Sequence, residues 1–135
     1  MILACRQAIL SGAIPGSSAV SRIRLDRMLV ADFEQTCWED GPPPGQRTEI
    51  IEIGIAEVRL EGEPCILRSA GYLVRPAASE VSPFCTALTG ITPGMVRRQG
   101  RPLAEVLGTI RKNFGGGAKT WAAWGRDGNG IRDHT

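Results

Sequence analysis

One segment constrains this chain more than any other: Met28-Leu29-Val30-Ala31-Asp32-Phe33-Glu34-Gln35-Thr36-Cys37, an apolar strand that ends in two acids. Side chains alternate faces along a strand, so Asp32 and Glu34 project to one side and Phe33 to the other. Acids are depleted in strands, and burying two like charges costs several kcal/mol unless a cation neutralises them. A divalent metal held by two hard oxygen ligands removes that cost and provides a Lewis acid. The alternative for an isolated Asp-x-Glu pair is a wet strand face, and the rest of the chain decides between the two.

From Met28 onward the punctuation is regular. Gly41-Pro42-Pro43-Pro44-Gly45 makes a stiff loop after the first strand. Glu49 to Leu60 places Ile51, Ile53 and Ile55 on one face and Glu52, Gly54 and Ala56 on the other, a strand pattern. After the turn Glu61-Gly62-Glu63-Pro64, Ile66 to Val74 returns beside it as a third strand. Ser82 caps a short helix that starts at Pro83 and closes at Gly90; Thr92-Pro93 repeats the signal, and Gly100 closes the second. Pro102 opens a longer helix with Leu103, Val106, Leu107, Ile110 and Phe114 on one stripe. Gly115-Gly116-Gly117 ends it, and Thr120 to Trp124 forms a fourth strand.

The order β-β-β-α-α-α-β fits a ribonuclease-H-like α/β fold, an antiparallel three-strand meander plus a further strand flanked by helices and incomplete at the C-terminus. Ligands in such sheets sit at the carboxyl ends of strands, where Asp32, Glu34 and Asp127 can converge. Met28, Val30, Ile51, Ile53, Ile55, Leu103, Val106, Leu107 and Ile110 are expected to share one core. The sequence divides into an extension or mis-assigned start over 1–26, a partial catalytic domain over 27–127 and an aberrant tail over 128–135.

Composition excludes more than it suggests. Sixteen basic and fourteen acidic residues leave a net charge of +2, too mild to identify a partner. Arg97, Arg98 and Arg101 cluster, as do Arg22, Arg24 and Arg27, and a solvated face is the default reading of either group. The four cysteines have no CxxC pair, and the single histidine is His134, so a zinc finger is excluded and reduced thiols in a cytoplasmic protein are expected. No apolar run reaches the roughly 18 residues of a membrane span. Gly115-Gly116-Gly117-Ala118-Lys119-Thr120 is not a phosphate loop: Ala118 precedes Lys119, and the segment runs from helix into strand. Glu52 reads as a structural acid, and Trp121 and Trp124 as core residues.

Four motifs in order carry a resemblance. Asp32-Phe33-Glu34-Gln35-Thr36-Cys37 followed by Glu49-Ile50-Ile51-Glu52-Ile53-Gly54 resembles the opening of the DEDDh 3′–5′ exonucleases. Ser82-Pro83-Phe84-Cys85-Thr86-Ala87-Leu88-Thr89-Gly90-Ile91-Thr92 is similar to their Eri-type branch. Trp121 to Gly125 resembles the strand that leads to the family's second acidic motif. The resemblance implies a two-metal phosphodiesterase acting on single-stranded 3′ ends of RNA or DNA, with magnesium or manganese on Asp32, Glu34 and Asp127. It further implies that Phe33, Gln35 and Thr36 line the mouth of a terminal-nucleotide pocket in which Leu88 supports the base; sheet-edge packing is the alternative for these four.

Two departures from the pattern stand out. The family's Trp-Gly-x-x-Asp appears here as Trp124-Gly125-Arg126-Asp127-Gly128, with Asp127 one residue early, and one step along an extended segment reverses a side chain's face. The third motif, a His and an Asp on a later helix, is expected beyond Thr135; Asp133 and His134 come too soon and in reversed order. Three functions therefore stand: an exonuclease impaired by loss of its general base, an inactive remnant that at most binds nucleic acid, or an interaction module in which Asp32 and Glu34 serve only solubility. Loss of the last helix is also expected to leave apolar surface on one flank of the sheet.

Overall fold

The computed structural model describes residues 24–115 and 119–123. Four strands, β1 (Arg24–Gln35), β2 (Ile50–Arg59), β3 (Cys65–Leu73) and β4 (Lys119–Ala123), form one sheet in the order β3-β2-β1-β4. The first three pair antiparallel, and β4 pairs parallel to β1. A parallel neighbour requires a long crossover, here filled by α1 (Pro83–Thr89), α2 (Pro93–Gln99) and α3 (Leu103–Phe114). The expected element order is the observed one, with β1 beginning at Arg24, ahead of Met28.

The caps behave as their residue types dictate. Ser82 Oγ accepts from Cys85 N at 2.9 Å, and Thr92 Oγ1 accepts from Met95 N at 3.2 Å. Gly90 takes the left-handed conformation, φ 77°, that closes α1 at little steric cost.

Burial follows the period of two. Leu29, Ala31 and Phe33 of β1 pack with Ile53, Ile55, Val74, Val106, Ile110 and Phe114 in the main core beneath α3. This corrects the expected core in two places. Met28 and Val30 share the face of Asp32 and Glu34, and Val30 is 37% exposed, because α3 covers the opposite face of β1. Ile51 leaves the Ile53–Ile55 cluster and joins Val81, Cys85, Ile91 and Val96 beneath α1 and α2. The register shift between Glu34 and Gln35 marks a bulge in the β1–β2 pairing beside it.

One acid lies inside the main core. Glu57 is 1% exposed, and its carboxylate accepts from Lys119 Nζ at 2.6 Å, Arg68 Nε at 2.6 Å and Arg27 Nη1 at 3.4 Å. Lys119 Nζ also donates to Phe114 O at 2.7 Å, so one ammonium ties β4 to β2 and to the end of α3. The lysine bond and the arginine pairing outweigh burial and hold the Glu57 carboxyl at about 2.

The opposite sheet face is apolar away from the acids. Met28 pairs with Val58 and Val58 with Ile66; Val30 pairs with Ala56 on one side and Ala122 on the other. Directly paired residues share a face. No described helix covers this surface at Val30 or at Ile66, which is 67% exposed. The expected apolar flank is present.

Candidate active site

The carboxyl end of β1 presents Asp32 and Glu34 on one face, two residues apart. Asp32 is exposed and Glu34 half-buried. Across the sheet Asp32 pairs with Gly54, and Gly54 pairs with Gly71 of β3. A Cβ on Gly54 would lie 3.8 Å from Asp32 O and 4.0 Å from Asp32 Cβ. The glycine thus keeps the position beside the carboxylate bare, and Gly71, about 10 Å from Asp32 over two strand spacings, continues the row without a side chain. Glu52 pairs with Glu34 on the same face, and its Oε1 sits 3.6 Å from where a Gly71 Cβ would be, toward the sheet edge.

Two carboxylates on one face, Asp32 exposed opposite the bare Gly54 and Glu34 opposite a further acid, Glu52, fit a hard divalent cation, which takes oxygen ligands. Among the described residues no group of three His, Cys, Asp or Glu side chains completes a metal site. The expected third ligand, Asp127, lies outside the described residues, as do Trp124, Gly125, Asp133 and His134.

Helix α1 is fastened to the chain just past these acids. Cys85 Sγ donates to Gln35 O at 3.4 Å, and Ser82 Oγ donates to Cys37 O at 2.6 Å. Burial, the adjoining Cys85 thiol and the Glu34 carboxylate push the Cys37 thiol up to about 11, which leaves it protonated and unreactive. With Cys85 turned inward, α1 exposes Phe84 (41%) and Leu88 (70%). These two stand one helical turn apart, as neighbouring positions on the helix surface. Leu88 is where a base contact was expected. Phe84 was missed, although an apolar i, i+4 pair on a helix whose other face supplies the core was its available signal.

The remaining pocket candidates separate. Phe33 is 8% exposed in the main core, on the face away from the acids. Thr36 is fully buried; its Oγ1 donates to Arg47 O at 3.1 Å and accepts from Glu49 N at 2.9 Å, latching the end of β1 to the segment before β2. Gln35 lines a groove of about 380 Å³ with Ile50, Val74, Arg75, Leu103 and Leu107, which neither Asp32 nor Glu34 lines. Packing thus describes the side chains of Phe33 and Thr36, while Leu88 reaches solvent. Trp121, expected in the core, is 37% exposed on the edge strand β4.

Comparison with known proteins identifies the family. Residues 29–120 match the family model described as Exonuclease. The 3′-5′ exonuclease Snipper of Drosophila melanogaster is 35% identical over 81 residues, 59% of this chain and 28% of that protein. ERI1 exoribonuclease 2 of Danio rerio is 33% identical over 79 residues, 58% of this chain and 14% of that protein. The chain therefore spans less than a third of either relative. Among solved structures, the nuclease domain of 3′hExo, a DEDDh family member bound to rAMP, superposes with TM-score 0.62 at 31% identity, covering 75% of this chain and 52% of that one. A ribonuclease-H-like sheet with its paired acids at the end of β1, matched over most of its length by these enzymes, makes this chain a member of the exonuclease family, of the DEDDh 3′–5′ type.

Proposed function

We propose that this protein removes nucleotides from single-stranded 3′ ends by metal-assisted hydrolysis, with Asp32, Glu34 and Asp127 as the ligands of two divalent cations. The carrying observation is the pair Asp32 and Glu34, side by side at the carboxyl end of β1 and opposite the bare Gly54. Magnesium or manganese bound there would supply charge stabilisation of the phosphodiester and lower the pKa of the attacking water. The chain's own residues do the positioning: Leu88, with Phe84 beside it, offers an apolar surface for the terminal base, and Gln35 and Thr36 hold the strand end to which α1 is fixed. The DEDDh relative solved with rAMP bound supports a ribonucleotide as a substrate unit. The free thiols of Cys37, Cys65 and Cys85 suit a reducing, cytoplasmic setting.

The test is incubation with 5′-labelled single-stranded RNA and DNA in manganese, magnesium or chelator. Ladders shortened from the 3′ end, abolished by chelator and by Asp32→Ala, are expected of the active enzyme. Calorimetric titration of manganese separates the inactive remnant: manganese binding that depends on Asp32, without trimming, would establish it. Equal manganese binding by wild type and Asp32→Ala would overturn the site itself.

A further inference from the structure

The arginine cluster on α2 is unexplained by the hydrolytic site. Between Glu80 and Glu105 the chain contains Arg97, Arg98 and Arg101 and no acid or lysine. All three arginines are exposed. Basic residues at a helix C-terminus ordinarily complement its unpaired carbonyls, but here that task is taken by a different residue. Arg75 Nη2 donates to Arg97 O at 3.3 Å and to Gly100 O at 2.9 Å. Arg101 is engaged elsewhere, its guanidinium 3.3 Å from Thr109 Oγ1 and 6.0 Å from the Tyr72 ring centroid. The guanidinium groups of Arg97 and Arg98 make no hydrogen bond or ion pair with a described residue.

Their direction is informative. Side chains on a helix lean toward its N-terminus, and Gly94 gives Arg98 the room to lie flat: a Cβ there would meet Arg98 Nη1 at 3.0 Å. The Arg98 charge is therefore carried back along α2 toward Thr92 and the junction with α1. Cys85 of α1 and Val96 of α2 belong to one buried cluster, and only Gly90, Ile91 and Thr92 separate the two helices along the chain, so both helices sit over the same part of the sheet. On the neighbouring helix stand the exposed Phe84 and Leu88, beside the chain that carries Glu34. Apolar side chains for bases flanked by unpaired cations for phosphates is the arrangement that holds single-stranded nucleic acid without reading its sequence.

We infer that α1 and α2 together form a single-strand platform, in which Arg97 and Arg98 hold phosphates upstream of the nucleotide seated at Phe84 and Leu88. The inference rests on the proposed exonuclease reading and extends it to substrates longer than the nucleotides at the acids. Its test uses the whole chain in chelator, with fluorescence anisotropy of a labelled dinucleotide and of an oligonucleotide of about 12 residues, within the range of single-strand site sizes. The variant is Arg97→Gln with Arg98→Gln, whose unchanged melting temperature verifies the fold. The platform predicts at least about a tenfold loss of affinity for the longer strand at low salt and none for the dinucleotide. It also predicts that the slope of log affinity against log salt shrinks by about 1.4, at 0.7 for each of two phosphate contacts. An unchanged slope and affinity in the variant overturns the platform alone. Wild type that binds neither oligonucleotide overturns the exonuclease reading with it. Equal displacement of the longer strand by polyglutamate of the same charge also overturns it, pointing to an acidic protein partner.

Discussion

Replacing Glu57 by glutamine removes the one negative charge in the main core while leaving its volume. Arg27 and Arg68 have side chains 40% and 48% exposed and can turn to water, but Lys119, at 12%, cannot. Breaking a buried pair from one side leaves a stranded charge and costs about 3–5 kcal/mol. The depressed Glu57 carboxyl gives a second figure. Its carboxyl sits at about 2 in the fold against an ordinary 4.5, a gap equivalent to about 3 kcal/mol. Because the folded value is depressed, the unfolded chain takes up the proton first. This stabilisation is complete above about pH 4.5 and is lost as pH falls toward 2. Urea unfolding followed by tryptophan fluorescence should show Glu57→Gln destabilised by about 3 kcal/mol at neutral pH, with the difference from wild type narrowing on acidification. Adding Lys119→Met to Glu57→Gln should recover much of the loss, because no ammonium then lacks its partner. A Glu57→Gln protein within about 0.5 kcal/mol of wild type at neutral pH, the range of a surface substitution, would refute the reasoning.

Three further outcomes are expected. Burial raises the Glu49 carboxyl, but the N–H groups of Ala78, Ala77 and Ser79 together bring it below its ordinary value; Glu49→Gln should lower stability by about 1–2 kcal/mol and speed amide exchange at 77–79. Ser82→Ala removes the cap of α1 and its bond to Cys37 O, and should cost about 1 kcal/mol in the same unfolding assay. Val30→Lys together with Ile66→Lys, on the uncovered sheet face, should raise solubility measured by precipitation without lowering the melting temperature.

The strands and helices were legible because their signals are local. The alternation Ile51, Ile53, Ile55 needs only a period of two, and Ser82-Pro83 with Gly90 encodes both ends of α1 in nine neighbouring residues. The family, too, was legible, because its motifs are short runs whose order survives without coordinates. Asp32 and Glu34 on a common face follow from the same alternation. Which face of β1 points inward did not follow: Met28 and Val30 are as apolar as Leu29 and Ala31, and periodicity pairs positions without saying where α3 lies. Likewise, nothing near Glu57 in sequence marks a buried acid, since its closest cations, Arg68 and Lys119, are 11 and 62 residues away. The sequence alone determined the elements, their order and the acidic pair at the end of β1. Tertiary structure decided the inner face of the sheet, the ion cluster at Glu57 and the exposure of Phe84, because each depends on contacts between segments that no local pattern brings together.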